Sequence, residues 1–201
     1  MSNGYLEISD NLIKRMINHH QSYRNDISIA RKQLLREIND LEDMIDAAIL
    51  PGKGTDNVGG GKTNKIQDPT YDSVIRLQNG RYMEKIQIKQ KELLVLEKRE
   101  EAFDRVCCAF KKTFWVLPLD FEIVNQLYYS AKKVTTWDAV CQELNISKAT
   151  ISDSRKWVCK LIRILYDSDY KTEDIDSVTD EQIYSLIEDS GDKALLKRVD
   201  K

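Results

Sequence analysis

The sequence predicts an all-α fold, a long helical hairpin followed by a helix-turn-helix domain. Three observations carry this prediction. Apolar residues recur at intervals of three and four through most of the 201 residues. Glycine and proline are scarce, at 8 and 3, while the charged fraction reaches 32%, a composition suited to amphipathic helices in water. From Leu117 to Tyr166, caps and breakers divide the chain into three short helices.

Residues 1–8 read as a loose arm. Ser9 or Asp10 can cap a first helix, in which Leu12, Ile13, Met16 and Ile17 recur at helical spacing. The polar run His19 to Asn25 reads either as a joint or as a continuous exposed turn. From Asp26 to Leu50, Leu34, Ile38, Leu41 and Ile45 form a heptad-like seam with Ala30, Ala48 and Ile49 beside it. Pro51-Gly52 stops that helix, and the Gly-rich segment 51–68 has no periodicity and reads as a loop.

Asp68 then reads as an N-cap with Pro69 at the first helical position, where its missing N–H costs nothing. The next helix runs to about Trp115, with Asn79-Gly80 as a point of weakness. Val74, Ile75, Tyr82, Ile86, Leu93 and Leu96 are expected to face the first long helix. Phe103, Val106, Cys107, Phe110 and Phe114 make a second stripe. Two long helices joined by one loop should fold back as a hairpin. The expected domains are 1–116, this hairpin; 117–166, the helix-turn-helix; and 167–201, an acidic C-terminal segment with a short helix.

In the central stretch, Pro118 ends the preceding helix and a new one starts at Leu119 or Asp120, with Ile123, Val124 and Leu127 on its apolar face. Lys132-Lys133 ends it. Thr135 or Thr136 can cap a second helix that buries Trp137, Val140, Cys141 and Leu144. Asn145 tolerates the left-handed turn that a helix end needs, Ile146 is an apolar plug, and Ser147 caps a third helix. That helix turns Ile151, Ser154, Val158, Leu161, Ile162 and Leu165 towards the other two.

Its opposite face carries the candidate DNA-binding residues Lys148, Thr150, Ser152, Asp153, Arg155 and Lys156, in the first two turns, where a recognition helix meets base edges and phosphates. From Ala131 to Arg163 there are seven basic residues against three acidic ones, a balance of +4. The whole chain has a net charge of −2, so DNA binding must rest on this local patch. From Asp167 onward, eleven acidic residues against five basic ones give −6. That segment is expected to face away from DNA, as a partner surface or a brake on non-specific binding. Within it, Thr179 and Gln182 resemble a capping box that opens a short helix ending at Gly191.

Other chemistry finds little purchase. Gly59-Gly60-Gly61-Lys62-Thr63 imitates a phosphate loop, but Asp56 stands where its first glycine is required and a helix precedes it, so a solvated linker is expected. His19 and His20 are the only imidazoles and read as early polar surface, and the four cysteines include no C-x-x-C pair. No catalytic residue, cofactor or metal is expected. Phe103, Phe110, Phe114, Trp115, Trp137 and Trp157 read as core. With no basic start and no long apolar run, the chain is expected neither to be secreted nor to enter a membrane. Buried free thiols fit a reducing cytoplasm.

Leu117-Pro118, Val124, Leu127, Tyr129, Thr136-Trp137-Asp138-Ala139-Val140, Leu144-Asn145-Ile146-Ser147 and Thr150-Ile151 resemble the −35-reading domain of bacterial sigma factors, over about a quarter of the chain. The sigma pattern has Gly where Asn145 stands. A second resemblance joins this sigma-like reader to Gln67-Asp68-Pro69-Thr70 between two long helices, and it is to the ArpU/RinA group of phage late-gene transcription activators. It implies a sequence-specific activator in a bacterial host cytoplasm, with double-stranded DNA and RNA polymerase as partners. The hairpin reads either as an intramolecular strut or as a seam for a homo-oligomer, which would place two readers on neighbouring half-sites. The alternative is a small terminase subunit, which joins the same two parts into a DNA-packaging ring.

Overall fold

A computed structural model of the chain describes residues 5–49, 69–129 and 136–200. Every regular element among them is helical: α1 (Asp10–Asn18), α2 (His20–Ile49), α3 (Pro69–Val116), α4 (Pro118–Tyr128), α5 (Trp137–Leu144), α6 (Lys148–Asp167), α7 (Asp180–Asp189) and α8 (Lys193–Val199), with a 3-10 turn at Thr172–Ser177. The fold class is all-α, as predicted. The Gly-rich segment 51–68, the cap at Asp68, the Lys132-Lys133 stop and Thr135 lie outside the described residues, as do the side chains of Ala48, Ile49 and Ile75.

Local chemistry sets the boundaries. Ser9 caps α1, its hydroxyl accepting from Leu12 N. The joint between α1 and α2 falls at His19, which has left helical geometry. Gly80 does not break α3, which runs through it with open space where a side chain would be. Pro118 occupies the first turn of α4, one residue earlier than the expected start, where a proline needs no N–H partner.

The chain divides into two compact units, Met1–Asp26 with Lys98–Lys201, and Ile27–Glu97. The second is the antiparallel hairpin of α2 and α3. Glu37 pairs with Lys89 at 3.0 Å and Arg31 with Glu97 at 3.7 Å, so a step back along α2 is a step forward along α3. Ile38 and Ile86 are buried in its seam, and Leu34, Leu41, Ile45, Tyr82, Leu93 and Leu96 are half-buried. Val74, expected in this seam, is exposed instead, because a two-helix pair covers only one narrow stripe of each helix.

The first unit holds nearly all of the core. The expected trihelical cluster forms, with Ile123, Leu127, Val140 and Ile151 buried and Trp137, Cys141 and Leu144 packed against them. Helix α1 lies against both α4 and α6. The C-terminal part of α3, which belongs to this unit, contributes Phe103, Val106 and Phe110, all buried. Phe114 and Trp115, expected as core, are 44% and 66% exposed: α3 has reached its end and only one of its faces meets α4.

The segment beyond Asp167 belongs to this unit rather than standing apart. Ile175, Ile183, Ile187 and Leu195 are fully buried, and α7 and α8 both contact α6. Arg105 fixes the end of α6. It is completely buried and donates to the carbonyls of Tyr166 and Ser168 at 2.8 Å, Leu165 at 3.3 Å and Tyr170 at 2.5 Å, with Tyr5 stacked on its guanidinium at 4.1 Å. The last carbonyls of a helix are unsatisfied and partially negative, so the cation serves as their cap.

Candidate nucleic-acid interface

The helix-turn-helix is built by two caps and one left-handed residue. Thr136 caps α5, its Oγ1 accepting from Ala139 N at 3.2 Å. Asn145 ends it with φ 52° and ψ 47°, the left-handed conformation expected of it and one that Asn tolerates better than most residues. Ser147 then caps α6, accepting from Thr150 N at 3.1 Å. On α6 the buried residues Ile151, Ser154, Val158, Leu161, Ile162 and Leu165 face inward as predicted. A polar node supports them. Ser154 donates to Asp120 Oδ1 at 2.6 Å, and Arg198 of α8 holds both Asp120 oxygens at 2.8 and 3.0 Å. Asp120 is buried, so the two donors supply what water would.

The outward face of α6 carries Lys148, Ala149, Ser152, Asp153 and Lys156, all exposed and spaced as one helical stripe. Four of the six candidate residues therefore lie together in solvent. The other two do not. Thr150 is half-buried, with its hydroxyl 3.0 Å from Ser147 Oγ, and serves the cap. Arg155 is half-buried and stacks over Tyr128 at 5.4 Å and Trp137 at 5.2 Å.

The charge of the patch is also smaller than the sequence count. Lys148 pairs with Asp138 at 2.7 Å, and that hydrogen bond raises its pKa. Lys160 pairs with Asp192 at 2.5 Å, which lowers the pKa of that carboxyl. Arg163 pairs with Asp10 at 2.8 Å and Asp167 at 3.5 Å. Asp10 and Asp192 come from distant parts of the chain, so no count over 131–163 includes them. Lys156 keeps no carboxylate within ion-pair distance among the described residues; its ammonium lies 5.4 Å from the Trp157 ring.

Sequence reasoning missed the contributions of α1. Lys14, Ile17 and Asn18 share a cleft of about 310 Å³ with Val124 and Tyr128 of α4 and the first half of α6. With its amide oxygen turned towards Arg155, Asn18 accepts from Nη2 at 3.0 Å. Arg105 and the Asp120–Arg198 pair were also missed, since no spacing rule links residues so far apart. His20, read as polar surface, stacks on Tyr129 at 3.9 Å, and burial lowers its pKa.

Cys107 and Cys159 are pushed up to about 11 by burial, which keeps them as unreactive thiols. No His, Cys, Asp or Glu cluster suited to a metal occurs among the described residues. No helix among them is long and apolar enough to cross a membrane. Comparison with protein-family models, curated proteins and solved structures finds no match to this chain.

Proposed function

We propose that this chain is a sequence-specific DNA-binding regulator of transcription that lays the outward face of α6 in the major groove. The observation that carries the reading is the exposed stripe Lys148, Ala149, Ser152, Asp153 and Lys156, presented by a capped helix behind a left-handed turn. Ser152 and Asp153 are suited to base edges, with the carboxylate accepting from cytosine N4, and Lys148 and Lys156 to phosphates. Lys148 exchanges Asp138 for a phosphate when DNA binds. The resemblance to phage late-gene activators supplies the finer reading: an activator in the bacterial cytoplasm that works with RNA polymerase and has no catalytic role. Exposed Val74, Leu77, Ile88 and Val95 on α3 support pairing of the hairpin with a second copy, which would bring two readers to one operator.

The test is footprinting on DNA from the protein's own locus, with and without polymerase. Protection of one or two short sites, lost in the Lys148→Ala/Lys156→Ala double variant, is expected. Unchanged binding in that variant would remove α6 as the reader. A large ring in light scattering would favour the DNA-packaging alternative.

A further inference from the structure

We propose that the cleft between α1, α4 and the first half of α6 is a phosphate site that receives a backbone phosphate of bound duplex DNA, with Lys14 as its outer cation. This rests on α6 being the recognition helix. The floor of the cleft is apolar and closed: Ile17, Val124 and Val158 are at most 2% exposed. Its rim holds three cations, Lys14, Arg155 and Lys156, against one carboxylate, Asp153.

The sorting of charge along the α1–α6 seam makes this site distinct. Further down the seam each cation has its own carboxylate, Lys160 with Asp192 and Arg163 with Asp10. Around the cleft, Lys14, Arg155 and Lys156 have no carboxylate within ion-pair distance among the described residues. Like charges gathered at one opening repel, and an anion seated among them relieves that repulsion. The rings of Tyr128 and Trp137 hold the Arg155 guanidinium in place beforehand, so little side-chain freedom remains to be lost on binding.

The occupant follows from continuity. Ser152, Asp153 and Lys156 belong both to the cleft and to the outward face of α6. A strand bordering the groove that receives α6 therefore runs past the cleft mouth. Lys14 stands more than a hundred residues before the helix-turn-helix in sequence, so the footprint of the reader extends to an element that the motif alone does not include.

The experiment is fluorescence anisotropy with duplex DNA from the protein's own locus across a salt series, comparing the full-length wild type with Lys14→Ala. The expected result is a plot of log affinity against log salt that is shallower by about 0.9, the share of one phosphate contact. Thermal unfolding should not change, because Lys14 is exposed. Lys14→Arg should restore the slope. If the wild type binds and Lys14→Ala keeps both affinity and slope, the cleft assignment fails while the reading of α6 stands. If the wild type binds no duplex, the DNA reading itself fails and takes the cleft with it. A parallel titration with inorganic phosphate separates the two sources of the anion: saturation at micromolar phosphate, lost in Lys14→Ala, with the DNA slope unmoved, would make the cleft a site for a free anion and overturn the backbone assignment.

Discussion

The two units are made of the same kind of helix and differ in what their apolar residues do. Among the described residues, the hairpin unit buries only Ile27, Ile38 and Ile86, while it exposes Ile29, Leu35, Met44, Val74, Leu77, Met83, Ile88, Leu94 and Val95. The other unit holds the rest of the buried core and exposes only Phe114, Trp115 and Leu119 among its large hydrophobics. Layers explain the difference. A helix in the helix-turn-helix unit is covered on two or three sides, but a helix in a two-membered hairpin is covered on one. The lesson is that apolar spacing reports a helix faithfully and says little about how many neighbours it will have.

The largest way to break this comparison is Arg105→Met. It would take the guanidinium from four carbonyls at the end of α6, of which Leu165 keeps the Ser168 hydroxyl, and at about 1 to 3 kcal/mol for each buried acceptor left unsatisfied it should be the largest single loss. Hydrogen exchange should show the loss in the amides of α6, leaving those of 27–49 little changed. Equal loss in both regions would mean that the units unfold as one.

Ile151→Ala removes a fully buried side chain from the trihelical cluster and should cost about 2 to 5 kcal/mol in denaturant unfolding. Ile86→Ala in the hairpin should fall at the bottom of that range or below, since its seam has room to relax. A reversed order would refute the claim that the helix-turn-helix unit carries the core. Lys89→Ala, which breaks the exposed pair with Glu37, should leave the denaturant midpoint almost unmoved, because solvent screens both charges.

The smallest effect is one of pH. Burial lowers the pKa of His20 in the folded chain below its ordinary 6.5, so the unfolded chain takes up the proton first. The stability this site contributes is complete above pH 6.5 and declines as pH falls towards the folded value. His20→Asn should flatten that part of a stability-against-pH curve. An unaltered curve would mean that the stack on Tyr129 does not discriminate between the two protonation states.

Within the candidate site, the parts governed by neighbours in sequence were legible: the caps at Thr136 and Ser147, the left-handed Asn145, and the inward row from Ile151 to Leu165. These depend on interactions spanning three or four residues, which a linear reading can see. What it misjudged depends on distance. Arg155 reads as one more residue of the solvent-facing stripe, but it is half-buried, turned towards Tyr128 and Trp137 at the rim of the cleft. Lys160 and Arg163 add to a basic patch until Asp192 and Asp10 neutralise them. The segment after Asp167 reads as an acidic appendage by its charge, yet four of its apolar residues are fully buried. A count of charges over a window cannot register partners that arrive from outside the window.

The carbonyls that Arg105 needs lie 60 to 65 residues further along the chain. At about 5–20 residues per second, a ribosome takes roughly 3 to 13 s to supply them after Arg105 has been made. During that interval the hairpin, whose two halves are both already synthesised, can close, but the helix-turn-helix unit cannot. Birth order and stability order thus run in opposite directions: the part with the thin core forms first, and the part with the thick core waits for the last residues. A message truncated before the codon for Leu165 would therefore yield a chain in which Arg105 has none of these carbonyls to cap.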